Sequence, residues 1–246
     1  MSQALFSVAS GAGTHEKRLD VLGNNLSNVN TVGYKQDGLI FRVPSEEGEK
    51  GPGDEPQDFL YSPPPLPAGT TIDFSQGDLR NTDNRLDLAL SGKGFFCIQT
   101  PEGRMYTRNG SFALNEDGVL VTREGYPVLG RRGEIKISGQ DVTIDENGDV
   151  YADGGRAGSI KVVGISDVHL LRKTGDSLFE PPAGGVNEMD AEGTLVKQGF
   201  LESANVNPIR AMTEMIDIMR GYESYQKVIQ FLDGVTQKSI AQVGTP

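Results

Sequence analysis

The stretch that decides the fold is NPIRAMTEMIDIMRGYESYQKVIQFL, Asn207–Leu232. It opens with an asparagine, whose side chain can cap free N–H groups at a helix start, followed by Pro208 at the position where a missing N–H costs least. Met215, Ile218, Tyr222, Tyr225, Ile229 and Leu232 then recur at alternating three- and four-residue spacing, which puts them on one helix face. Ile209, Met212, Ile216 and Met219 form a second apolar stripe beside the first. One partner helix cannot cover both. Arg210 with Glu214 and Glu223 with Lys227 are four apart and can pair on the remaining face. The spacing predicts a C-terminal assembly helix within 205–246, carrying more apolar surface than a single antiparallel partner hides.

The opposite end of the chain carries a matching signal. A seven-residue repeat places Leu5, Ala12, Leu19 and Leu26 in one position and Val8, His15, Leu22 and Val29 in the other, with only His15 breaking the apolar seam. Gly11, Gly13 and Gly23 each weaken an isolated helix by up to ~1 kcal/mol relative to alanine, so this helix is marginal until something packs on it. Gly33, after the run NNLSNVN, is the expected stop, and residues 1–42 are read as an N-terminal helical assembly segment. Asn24, Asn25, Asn28 and Asn30 each carry donors and an acceptor; held between helices, they are expected to fix register.

Between the ends the text changes twice. Residues 43–67, VPSEEGEKGPGDEPQDFLYSPPPLP, read as a Pro/Gly-rich acidic loop, because proline breaks strand ladders and acidic side chains resist burial. Residues 68–204 contain short alternating and aromatic-rich runs bounded by turn residues, the mark of a central β-rich domain. FALNEDGVLV (Phe112–Val121) and VTIDENGDVYA (Val142–Ala152) each set an acidic turn ending in glycine between apolar strands, and each reads as a hairpin. The expected class is α+β, with terminal helices pairing as a coiled coil and a hairpin-rich antiparallel body.

Composition excludes several functions. A net charge of −11 argues against nucleic acid and acidic membranes as partners. One cysteine and two distant histidines provide neither a disulfide nor a zinc cluster. No window approaches the ~20 apolar residues needed to cross a bilayer, so no direct membrane insertion is expected. The first residues lack the pattern of a cleaved signal peptide, so export would need a dedicated route. Asp145, Asn147 and Asp149 alternate as in a calcium loop, but Gly148 falls at the wrong place and no glutamate closes the motif. SGKG at Ser91–Gly94 lacks the rest of a phosphate loop and reads as a turn between strands. Cys97, beside Phe95, Phe96 and Ile98, reads as a core residue; His15 reads as a packing or interface group and His169 as a strand residue. No carboxylate pair is selected by spacing. No catalytic residue, cofactor or metal is expected.

The segment LDVLGNNLSNVNTVGYKQDGLIF (Leu19–Phe41) resembles the amino-terminal signature of flagellar rod and hook proteins. Four further blocks agree in the same order: IDFSQGDLRNTDNRLDLALSGKGFF (Ile72–Phe96), YTRNGSFALNEDGVLVTREGYPVLG (Tyr106–Gly130), TGDSLFEP (Thr174–Pro181) and LVKQGFLESANVNPIRAMTEMI (Leu195–Ile216). Length and the compact middle resemble the proximal rod subtype most, with distal rod next and hook proteins further off. Where the family often has glycine this chain has Asp83, and residues 43–67 follow no family pattern. The resemblance implies a non-enzymatic subunit exported by the flagellar type III apparatus. It would polymerise with copies of itself and neighbouring rod proteins into the periplasmic part of the axial tube, transmitting torque. The competing readings are a secreted β-rich hydrolase, which a pocket with two carboxylates of opposed pKa would favour, and a cap or chaperone that binds without polymerising.

Overall fold

The computed structural model describes residues 2–42, 66–139 and 141–243, which form two compact units. Nearly all of the acidic loop, 43–67, lies outside the described residues. One unit comprises Met1–Leu26, Asp37–Thr71 and Asn207–Pro246; the other comprises Ser27–Gln36 and Ile72–Val206. Ser27–Gln36 thus groups with the strands, and the units interleave along the chain where the linear reading expected one helical segment, 1–42.

The first unit holds two helices, α1 (Ser2–Ser27) and α2 (Pro208–Val243), and a two-stranded ribbon of Asp37–Arg42 with Leu66–Ile72. Helix α2 starts where its cap residues put it. The Asn207 side-chain oxygen accepts from the Arg210 N–H at 3.1 Å, and its carbonyl accepts from Ala211 N–H at 3.0 Å. Helix α1 stops at Ser27, six residues before the expected Gly33. The asparagines explain the early stop: the Thr31 hydroxyl donates to Asn28 Oδ1 at 3.2 Å and the Thr31 N–H to the Asn28 carbonyl at 3.0 Å, a local turn that competes with helix. Gly33 serves the next step. With φ at +67° and the Asn109 backbone pressed against it, it tolerates no side chain.

The second unit is built on a six-stranded antiparallel sheet in the order Arg172–Gly175, Leu178–Glu180, Gly103–Thr107, Phe95–Thr100, Val162–Ile165, Glu188–Asp190. Alternation along FFCIQT sends Phe96 and Ile98 to one face and Phe95 and Cys97 to the other, and both faces are buried. The first face meets Leu88, Leu90, Phe112, Leu120, Val128, Val150 and Ile160; the second meets Tyr106, Val163 and Phe179. Both hairpins form as read, Phe112–Leu114 against Leu120–Thr122 and Val142–Ile144 against Asp149–Ala152. Their turns share one device: Asn115 Oδ1 accepts the Asp117 and Val119 N–H groups, and Asp145 Oδ1 those of Asn147 and Asp149. His169 lies in a short 3-10 turn, Val168–Leu170, instead of the expected strand, because Asp167 caps it by accepting the His169 N–H. Asp83 has φ at +56°, which gives a physical reason why glycine suits that position.

Candidate assembly surfaces and a buried ion cluster

The seam residues of both helices turn inward within the first unit. Val8, Ala12, Leu19, Leu22 and Leu26 are half-buried, as are Met215, Tyr222, Tyr225, Ile229 and Leu232, while Ile218 is fully buried; Val29, expected on the same seam, lies past the end of α1 and groups with the strand unit. The Leu5 side chain lies outside the described residues. The second stripe of α2 does not turn inward: Ile209 is 77% exposed, Met212 and Ile216 51%, and Met219 48%. Val228, Phe231 and Val235 are also exposed, on a different face further along the helix.

Contacts between α1 and α2 run antiparallel. Arg18 meets Glu214 at 3.4 Å, and the His15 ring tilts on Tyr225 with centroids 5.4 Å apart. A side chain added at Gly11 would lie 2.8 Å from the Tyr225 ring, and one at Gly221 would lie 2.8 Å from the His15 ring. Each helix therefore offers a glycine notch to an aromatic ring of the other. The ion pair is about 40% exposed and contributes little, roughly 0–1 kcal/mol. The ring-on-glycine packing sets the close approach.

The four asparagines do different jobs. Asn25 is buried and grips the first residue of the ribbon: its side-chain amide donates to the Asp37 carbonyl and its side-chain oxygen accepts the Asp37 N–H, both at 2.8 Å. Asn28 makes the turn after α1, and Asn24 and Asn30 are exposed. Asn25 thus fastens the strand Asp37–Arg42 to the end of α1.

The second unit contains a group that sequence patterns did not reveal. Lys35 and Glu202 have fully buried side chains, and the Arg108 side chain is 4% exposed. Lys35 Nζ donates to Glu202 Oε1 and to the Ser75 carbonyl, each at 2.6 Å. The Gly77 N–H donates to the same carboxylate oxygen at 2.9 Å, and Arg108 donates to Oε2 at 3.3 Å and to the Gly92 carbonyl at 2.7 Å. Arg108 also stacks on Phe95, 5.3 Å from the ring centre. Burial pushes the Lys35 ammonium below its ordinary pKa, opposed by the Glu202 charge and hydrogen bond. Around it the segment Val32–Gln36 is tied down: Ser177 donates to the Val32 carbonyl, Gly33 N–H to the Glu202 carbonyl, Lys173 to the Lys35 carbonyl, and Gln36 N–H to Asn205.

The remaining chemical candidates are occupied structurally. Glu188 accepts from Lys161 at 2.5 Å, Tyr106 at 2.8 Å and Arg104 at 2.9 Å; burial opposes its charge, yet these donors hold its carboxyl at about 2. Burial pushes the Cys97 thiol up to about 12, leaving no thiolate at neutral pH. Asp145, the first acid of the calcium-like run, spends its carboxylate on backbone amides. Among the described residues no group of three His, Cys, Asp or Glu is placed to hold a metal, and no helix is long and apolar enough to cross a membrane.

Three family descriptions match in sequence order. "Flagella basal body rod protein" matches residues 8–35, "Flagellar hook protein FlgE/F/G D1 domain" residues 89–152, and "Flagellar basal body rod FlgEFG protein C-terminal" residues 197–243. Both helices and the strands between them thus fall in one class, the axial proteins of the bacterial flagellum. The chain is similar to the flagellar basal-body rod protein FlgF of Caulobacter vibrioides, 32% identical over 248 residues with 99% of each chain covered. It is also similar to the rod protein FlgG of Bacillus subtilis, 34% identical over 268 residues with 98% of each covered, and to FlgF of Mesorhizobium japonicum at 29% over 248 residues. The chain belongs to the flagellar basal-body rod protein family.

Proposed function

We propose that the chain is a structural subunit of the basal-body rod, of the FlgF-like proximal type, that polymerises through its terminal helices and carries torque without catalysing a reaction. The observation that carries this is the second stripe of α2, Ile209, Met212, Ile216 and Met219, apolar and half or more exposed beside a seam that is already covered. Large exposed apolar patches are uncommon on proteins that act alone and mark association surfaces. Helices α1 and α2 pair as an antiparallel coiled coil whose seam is Val8 to Leu26 against Met215 to Leu232, and the stripe meets neighbouring copies and other rod proteins. Head-to-tail contacts that do not close into a ring let addition continue along a helix. Length supports the subtype: the FlgF relative aligns over 248 positions, close to the 246 residues of this chain, whereas the FlgG relative takes 268.

The working divisions of this reading are the helical ends, the loop 43–67, and the β-rich body. Export through the flagellar type III apparatus, without a cleaved signal peptide, would deliver the chain to the periplasmic space. Marginal helix ends rich in glycine suit that route, because they order only when partners cover them.

Deleting Met1–Leu26 tests the role of α1 while sparing Ser27–Gln36, which groups with the strands. The truncated chain should be exported and keep a folded β-body, yet be absent from isolated basal bodies. Incorporation at the parental level would refute the proposal.

A further inference from the structure

The buried cluster poses a question that stability alone does not answer. Taking ions out of water is costly, and apolar replacements of similar volume often leave a protein as stable or more so. What the ions add is a single address. Only an ammonium at the place of Lys35 can satisfy Glu202 Oε1 and the Ser75 carbonyl together. If the segment slipped by one residue, Tyr34 or Gln36 would sit there and the carboxylate would lose its ammonium partner. Two neighbours act with Lys35: Gly33, which admits no side chain against the Asn109 backbone, and buried Tyr34, whose ring lies 4.2 Å under the Lys173 ammonium, but Lys35 alone supplies the charge that the buried carboxylate needs.

We propose that the Lys35–Glu202–Arg108 cluster is a register lock, with Lys35 a positioning residue that admits one seating of Ser27–Gln36 against the strand Phe200–Glu202. The segment continues from α1, and the strand runs on to Asn207 at the start of α2. One salt-bridged carboxylate therefore fixes, within the strand unit, the segment that follows α1 and the strand that precedes α2. The Asn205 side chain reinforces the lock, accepting from Gln36 N–H at 2.7 Å and donating to the Asp73 carbonyl at 2.8 Å. The rod-level consequence rests on the proposed function; the seating itself does not.

The test uses the full chain in three forms: parent, Glu202→Gln, and the apolar triple Lys35→Met/Arg108→Met/Glu202→Leu. Melting temperature and amide exchange across residues 31–36 and 200–206 are measured on purified protein, and swimming is scored in cells lacking the parental gene. The single variant should melt well below the parent. The triple should recover most of that loss while residues 31–36 exchange at least tenfold faster than in the parent, with swimming reduced. Exchange at the parental rate in the triple would overturn the lock, since packing alone would then place the segment. A triple as unstable as the single variant would also overturn it, making the cluster a stability element. Fast exchange with full swimming would overturn the claim that seating matters to the rod. Failure of the parent itself to restore swimming would instead count against the proposed function.

Discussion

Changing Ile209, Met212, Ile216 and Met219 together to glutamine perturbs assembly while leaving the isolated fold nearly untouched. These side chains are between 48% and 77% exposed, so the isolated chain loses little when they become polar. Burying a Leu, Ile or Met side chain contributes about 1.5–3 kcal/mol, so covering the exposed fractions of these four is worth about 3–7 kcal/mol per copy. At 1.4 kcal/mol per tenfold, that is roughly two to five powers of ten in association, an upper bound because ordering costs offset part of it. The assay pairs a melting curve of the purified variant with its copy number in isolated basal bodies. Asp217→Gln/Ser224→Gln, two exposed positions away from the stripe, serves as the control. The stripe variant should melt within a few degrees of the parent and be depleted from basal bodies at least tenfold, while the control incorporates normally. Parental copy number for the stripe variant would refute the reasoning.

Glu188 gives an acid-stability test. Its folded carboxyl is held at about 2 against an ordinary 4.5, so its contribution is complete above pH 4.5 and lost as pH falls towards 2; Glu188→Gln should flatten stability across that window. An unchanged acid limb would count against the three-donor arrangement. Cys97 should resist a thiol reagent at pH 8 in the folded chain and react fully once denatured, and rapid labelling of folded protein would contradict its burial. At Asp83, valine should cost about 1–2 kcal/mol in urea melts, since its φ is +56°, while glycine should change stability by less than about 1 kcal/mol; equal effects would disprove the strain. Asn207→Ala should remove about 0.5–2 kcal/mol through the lost cap and Asn207→Gly only a few tenths, read by the melting of the helical signal.

Local rules made much of the fold legible. Asn207 and Pro208 marked a helix start because capping involves neighbouring residues only, and the two stripes of α2 separated into a covered and an exposed face because 3.6-residue periodicity is geometric. The hairpins were readable from acidic turns ending in Gly118 and Gly148, and the structure adds that Asn115 and Asp145 fold back on those turns. Distance in sequence hid the rest. A lysine ordinarily signals a solvated surface, and nothing near Lys35 announces that its partner is Glu202, 167 positions away. Gly11 read as a helix weakness, since the Tyr225 ring that needs its missing side chain comes from the other end of the chain. The early end of α1 lay in the asparagine run, whose side chains compete with the helix backbone; Gly33 carried the more familiar stop signal but is needed for a close backbone approach.

The account turns on the second face of α2 being completed by other subunits in the rod. A map of the intact basal body at side-chain resolution tests this most directly. Ile209, Met212, Ile216 and Met219 should be buried under a neighbouring subunit, with Val8 to Leu26 packed on Met215 to Leu232 beneath them. A rod in which that stripe faces open solvent, or from which this chain is missing, would contradict completion of α2 by its neighbours.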